Sequence, residues 1–111
     1  QMIAQGGGGK IVFVLAKSGL KGIKNQAAYT ASKGAAFRIM EAMAAELREH
    51  GIAVNGVSPS IMDTPANRAS MPNADPSNWV TTEQVARAIL YLAHADSNVY
   101  GTNLEVYGKS F

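Results

Sequence analysis

The run Ile11-Val12-Phe13-Val14-Leu15 is apolar at every position. A strand with one wet face alternates apolar and polar residues. An unbroken β-rich run bounded by turn signals therefore reads as a strand covered on both faces, as in a parallel sheet. Ile52-Ala53-Val54-Asn55-Gly56-Val57, ending at Ser58-Pro59, reads the same way, and Asn103-Leu104-Glu105-Val106-Tyr107 makes a last short strand. The stretches between them suit helical crossovers. One helix is expected over residues 26–50, with Asn25 as its cap and Gly51 as its stop. A second opens where Thr81 is followed three residues later by Gln84, a capping box, and runs over 82–93. Strand, helix, strand, helix, strand at these lengths is an α/β pattern: an open parallel sheet with right-handed crossovers, built from three strands and two main helices. No internal repeat interrupts it.

Side-chain spacing assigns faces to the helices. Ala27, Ala28, Ala31, Ala35 and Ala36 let other elements approach the first half of the long helix closely. Its second half is amphipathic: Phe37, Met40 and Met43 form an apolar stripe suited to core or subunit contact, and Glu41, Glu46, Arg48 and Glu49 mark the wet side. Val85, Ala86, Ile89, Leu90 and Leu92 are expected to bury the second helix. Gly6-Gly7-Gly8-Gly9 invites a phosphate-loop reading, but such loops follow a strand and open a helix. Here the glycines precede a strand, so they read as a helix stop and turn after residues 1–5.

Composition excludes several classes. A net charge of +2 with 16% charged residues, without clustering of Lys and Arg, leaves no nucleic-acid footprint. No apolar run approaches the ~20 residues of a membrane span, and the first residues lack the pattern of a secretory signal. The chain has no cysteine, so disulfides and thiolate metal sites are out and a reducing cytoplasm suits it. His50 and His94 stand far apart and sit where helices should end, which suits an imidazolium better than a metal. At 111 residues the chain is one domain's worth, or half of a larger one.

The chemistry points to Tyr29 and Lys33. Four residues apart on a helix, their Cβ atoms lie roughly 6 Å apart. An ammonium beside a phenol favours the phenolate, so such a pair can work as an acid/base unit near neutral pH. The same spacing is common on solvated helices, so position decides. In open parallel sheets ligands sit outside the carboxyl ends of the strands. Ala16-Lys17-Ser18 after the first strand, residues 58–64 after the second, and the turn carrying Tyr29 should converge there. Residues 60–80 form a long connection, rich in Pro, Asn, Asp and Ser, and connections of this length tend to be functional.

Gly9-Lys10-Ile11-Val12, Gly19, Asn25-Gln26-Ala27-Ala28-Tyr29-Thr30-Ala31-Ser32-Lys33-Gly34-Ala35 and Gly51-Ile52-Ala53-Val54-Asn55-Gly56-Val57-Ser58-Pro59 resemble the C-terminal half of a short-chain dehydrogenase/reductase. The resemblance implies the C-terminal part of a Rossmann-like doubly wound sheet and NAD(P)H as cofactor. It implies a catalytic role for Tyr29, which would donate a proton to a small-molecule substrate as the nicotinamide delivers hydride. Lys33 would hold the nicotinamide ribose and assist Tyr29. Pro59 and Ile61 would pack on or bond the nicotinamide, and Thr64 matches a cofactor-contacting threonine. The alternative for Thr64, ahead of Pro65, is a plain helix cap; the cofactor contact is the favoured reading, and one group can do both.

Three departures from the family pattern stand out. The family's serine, thirteen residues before the tyrosine, is Ala16 here, with Ser18 two residues late. The usual glycine after the proline is Ser60. The N-terminal, nucleotide-binding half has no counterpart. Ala16-Lys17 and residues 63–79 are similar to dihydropteridine reductase, which also carries alanine at that position. A quinonoid dihydropterin is easily reduced, so a carbonyl-polarising serine would be dispensable. Residues 63–79 would then shape the substrate mouth, with Trp79 as a wall or, alternatively, as an anchor to the core.

The first residues fall inside what should be a family helix, so the chain reads as a truncated domain, 1–111. The strand over 11–15 would then have one bare edge, and the long helix would expose Met40, Met43 or neighbouring alanines. A bare apolar edge recruits another chain. A homo-oligomer is expected, with strands exchanged between subunits as one form. The alternative to a reductase is a non-catalytic, self-associating fragment of the family.

Overall fold

The computed structural model describes residues 1–109. Its centre is β2 (Ile52–Pro59), in which every residue is buried. β1 (Gly9–Val14) pairs with it on one side and β3 (Asn103–Val106) on the other, both parallel, in the order β1-β2-β3. The register runs from Gly9 opposite Ile52 to Val14 opposite Val57, and from Gly56 opposite Asn103 to Pro59 opposite Val106. The α/β architecture expected from the apolar runs is present.

α2 (Ala27–Leu47) covers one face of the sheet and α4 (Thr82–Ala93) the other. Alternation along the strands sorts the side chains between the two layers. Leu15, Met40, Ala44, Ile52 and Val54 form the core under α2, with Ile11, Phe13, Phe37 and Met43 packed against it. Val57, Val80, Val85 and Leu92 form the core under α4, joined by Val12, Ile89 and Leu104. The helix ends carry the expected signals. Thr81 and Gln84 make a reciprocal capping box, with Oγ1 accepting from Gln84 N at 3.1 Å and Oε1 from Thr81 N at 2.9 Å. α1 (Met2–Gln5) stops at Gly6, whose φ of 75° is left-handed, and the chain then enters β1. The glycines thus serve as a helix stop, and no helix follows them to seat a phosphate.

Asn55 lies at the middle of β2 with no exposure, and its amide is used in full view of the next connection. Nδ2 donates to Val99 O at 2.8 Å and Oδ1 accepts from Thr102 N at 2.9 Å. Ser58 Oγ donates to Asn103 Oδ1 at 2.9 Å. Two buried polar side chains on the central strand therefore fix the turn that delivers β3, which is how their burial is compensated.

Five expectations need correction. Asn25 does not cap α2; it takes φ 64° in the preceding turn, and Gln26 occupies the cap position without a side-chain bond. β1 has α2 on one face and α4 on the other but is only half-buried, and Val14 is 50% exposed. Met40 is fully buried against β2, so it is Ile39, 53% exposed, and Ala42 and Ala45 on either side of the Met43–Ala44 contact that lack cover on α2. Ala86 and Leu90 face outward, since the buried line of α4 runs through Val85, Ala88, Ile89 and Leu92, and Leu90 falls a further 100° round. Finally, residues 60–80 contain α3 (Pro65–Ser70) and a 3-10 turn at Pro76–Asn78, elements too short to show a period.

Met40→Ala should lower unfolding stability by about 2–5 kcal/mol through the cavity it leaves. Leu90→Ala should change it by less than about 0.5 kcal/mol. Urea denaturation of the two variants measures both, and comparable losses would refute this division of buried and outward positions.

Candidate active site

The sheet's carboxyl edge gathers Val14, Pro59 and Val106, the last residues of the three strands. Beyond β1, Ala16 is extended and buried at 8% exposure, and a 3-10 turn, Lys17–Gly19, follows. This turn lies against α2 so closely that a Cβ on Gly19 would fall 2.8 Å from the Lys33 carbonyl carbon. Glycine is needed there to bring the end of β1 beside the helix. Ser18, in the same turn, is buried.

Tyr29 stands in the first turn of α2 and is 50% exposed. Lys33 follows one turn later, and its Nζ donates a long hydrogen bond, 3.4 Å, to Val14 O. The lysine therefore reaches from the helix to the carboxyl end of β1 rather than out into solvent. Ser32 Oγ donates to Tyr29 O at 2.8 Å, and Thr30 Oγ1 is buried without a partner among the described residues. Lys33 thus reaches the edge where the strand ends converge, and Tyr29 stands one turn before it on the same helix.

Pro59 closes β2 and is buried, whereas Ile61, two residues on, is 41% exposed. Ser60 binds the exit of β2 to β3, with N donating to Val106 O at 3.1 Å and Oγ to Tyr107 O at 3.2 Å. Thr64 caps α3: its Oγ1 accepts from Asn67 N at 3.1 Å, and Pro65 takes the first helical position. The cap reading of Thr64 is therefore realised, which leaves its hydroxyl hydrogen as the group available to a ligand.

Sequence reasoning missed how tightly the 60–80 connection is bound. Arg68 donates to Asp63 twice, Nε to Oδ1 at 2.6 Å and Nη2 to Oδ2 at 2.9 Å, and Asn67 Nδ2 donates to Met62 O at 2.8 Å. Asp75 repeats the cap-then-proline device of Thr64, accepting from Ser77 N and Ser77 Oγ, each at 3.0 Å. A bridge between Met62 and Val80 returns the connection to the body. The recurring Thr-Pro and Asp-Pro pairs were the available signal. Trp79 is half-buried and lines a cleft of about 150 Å³ with Arg68, Met71, Pro72, Ala74 and Pro76. Its neighbour Val80, 1% exposed, is the residue that enters the core.

Charge follows these contacts. The Arg68 hydrogen bond, reinforced by its charge, holds the Asp63 carboxyl below the usual carboxylate range, and the two Ser77 donors do the same for Asp75. Burial, then the nearby Glu105, pushes the Tyr107 phenol up, and Lys17 Nζ sits 4.9 Å from its ring centre. A second concavity, about 370 Å³ and lined by Leu90, Tyr91, His94, Asp96, Ser97 and Asn98, lies at the opposite, amino edge of the sheet. We assign the candidate site to the carboxyl edge because Lys33 reaches the end of β1 there and the connections after β1 and β2 leave over it.

The short chain dehydrogenase family model matches residues 1–75. An uncharacterized oxidoreductase of Escherichia coli K12, YohF, is 33% identical over 106 residues, which are 88% of this chain and 42% of that protein. L-xylulose reductase of Mesocricetus auratus is 32% identical over 96% of this chain and 48% of its own. Among solved structures, acetoin dehydrogenase from Enterobacter cloacae superimposes with a TM-score of 0.83 at 34% identity, over 96% of this chain and 44% of that one. ElxO with NADP bound gives 0.84 at 26% identity, over 96% and 48%. The chain therefore spans less than half the length of each of these proteins.

Because the Asp63 carboxyl is lowered in the folded chain, its contribution is present above the ordinary aspartate value near 3.9 and is lost as pH falls through the folded one. Trp79 is the single tryptophan and belongs to the same connection. Its emission should hold from neutral pH to about pH 4 and change below. Asp63→Asn should shift the emission at neutral pH and flatten that acid step. An unaltered acid titration in Asp63→Asn would remove the ion pair from this role.

Proposed function

Because the chain belongs to the short-chain dehydrogenase family, we propose that it carries the catalytic portion of an NAD(P)H-dependent reductase. Tyr29 is the proton donor and Lys33 the cofactor-holding cation. One observation carries this reading: a half-exposed tyrosine lies one helical turn from a lysine whose ammonium reaches the carboxyl end of β1.

The residues fit the nicotinamide end of such a cofactor. Ile61 offers exposed apolar surface just past β2, Pro59 and Ser60 shape the backbone beneath it, and the Thr64 hydroxyl keeps its hydrogen free to donate. The adenine end finds no glycine-rich cradle among the described residues, because Gly6 to Gly9 lead into a strand rather than out of one. When bound, the nicotinamide supplies a hydride to the electrophilic carbon of the substrate. Tyr29 gives its phenolic proton to the oxygen or nitrogen that gains charge in that step. General acid catalysis of this kind contributes about 10²–10⁴-fold. Lys33 holds the ribose hydroxyls and keeps a positive charge on the tyrosine's helix face.

A small carbonyl compound is the substrate class, in keeping with the named activities of relatives such as L-xylulose reductase. A quinonoid dihydropterin is the second reading, favoured by Ala16. The buried alanine has no hydroxyl to polarise a carbonyl, which matters less for a ring already poised to accept hydride. Trp79 and the 63–79 connection form the substrate mouth in either case.

Titration of the purified chain with NADH and NADPH, followed by fluorescence and calorimetry, tests the proposal. Saturable binding is expected, weak for want of an adenine cradle. None up to about millimolar cofactor, where binding is worth only ~4 kcal/mol, would establish the non-catalytic fragment instead. Given binding, Tyr29→Phe should lower reduction of L-xylulose, acetoin or a quinonoid dihydropterin by roughly 10²–10⁴-fold with affinity largely kept. Undiminished turnover would exclude Tyr29.

A further inference from the structure

We infer that Asp63 and Arg68 are positioning residues for the cofactor, a role that rests on the reductase reading. Their ion pair sets the angle of the connection that carries the Thr64 hydroxyl. Thr64 caps α3, so Asp63 stands one residue before the cap and Arg68 is the fourth residue of the helix. At these two places a pair of apolar side chains ordinarily staples the entering chain and fixes its angle. α4 uses that apolar form: Val80 precedes the Thr81 cap, Val85 is the fourth residue, and both are buried in one core cluster. At α3 the same two places carry opposite charges. Arg68 Nε donates to Asp63 Oδ1 at 2.6 Å and Nη2 to Oδ2 at 2.9 Å.

The exchange of an apolar staple for an ionic one matters because no residue of Pro65–Ser70 is buried. Polar contacts, rather than packing, orient α3, and they reach back to Met62, Asp63 and Thr64. Asn67 Nδ2 donates to Met62 O at 2.8 Å, Asn67 N to Thr64 Oγ1 at 3.1 Å, and Arg68 N to Thr64 O at 3.0 Å. The other side of this turn is tied to the core. Asp63 N donates to Val80 O at 2.8 Å and Val80 N to Ile61 O at 3.0 Å. Asp63 therefore joins two halves, with its backbone on buried Val80 and its carboxylate on α3. Exposed ion pairs generally contribute little, and the exception is the bidentate arginine–carboxylate geometry found here. Such a fork fixes orientation, which a point charge does not.

Thr64 is where orientation counts. Both of its oxygens accept from α3, so the hydroxyl hydrogen is what it has to offer, and the angle of the turn sets its reach. Moving a contacting group by about 1 Å can cost a site ~10²-fold. Asp63 and Arg68 thus act through Thr64, at the nicotinamide end, without touching the cofactor themselves.

Calorimetric titration of the full chain with NADH and NADPH tests this, together with backbone amide exchange measured without cofactor. Arg68→Gln and Arg68→Lys should each weaken binding by roughly 2- to 10-fold, the scale of one hydrogen bond. Lysine should not rescue, because it keeps the charge and loses the fork. Both variants should speed exchange of the Asn67 amide and leave β2 and α4 protected, which also shows that they fold. Thr64→Asn keeps an acceptor for the cap and loses the hydroxyl, so adding Arg68→Gln to it should cost no further affinity. Full affinity in Arg68→Gln, full affinity in Arg68→Lys, or losses that add in the double variant would each overturn the inference and leave the reductase reading standing. Failure of the unsubstituted chain to bind either cofactor overturns that reading, and the inference with it.

Discussion

The burial of β2 is the constraint on which the other elements depend. Eight consecutive residues, Ile52–Pro59, are removed from solvent, so every backbone group and every side chain there must find a partner within the protein. β1 and β3 satisfy the backbone on the two sides, while α2 and α4 cover the two faces. Asn55 and Ser58 would be costly in this setting if left alone. Their bonds to Val99, Thr102 and Asn103 turn that cost into a fixed path for the last connection.

From that central strand the site follows by geometry. Parallel strands end on one edge, and each must be followed by a connection that leaves over that edge. The connection after β1 is drawn onto α2 at Gly19, which brings the strand's end beside Lys33. The connection after β2 is stiffened by two proline-led caps and the Asp63–Arg68 pair before Val80 returns it to the core. One edge thus acquires a lysine from a helix, exposed apolar surface from Val14 and Ile61, and a connection that holds its own shape.

Much of this was legible in residue order. The apolar runs announced the strands, the Thr81–Gln84 box placed the start of α4, and Phe37, Met40 and Met43 marked the inner side of α2. The readings that failed share a cause. Whether Asn25 caps a helix depends on its backbone angles, how deeply β1 is buried depends on what lies beside it, and whether Leu90 is buried depends on how α4 is rolled against the sheet. Each is a relation between elements. The short helix α3 escaped for a different reason, since six residues hold too few turns to display a period.

The sequence by itself determined the kinds of element and their order, because the period of apolar residues, the caps and the turn residues act over a few positions along the chain. It also placed Tyr29 and Lys33 on one face of one helix, which the α-helical repeat guarantees. Only the tertiary structure decided where that face points. It brought Lys33 to the Val14 carbonyl, joined Arg68 to Asp63, put Val80 rather than Trp79 in the core, and set β2 between β1 and β3. Those outcomes come from long-range pairing and close packing, which relate residues that no local pattern connects.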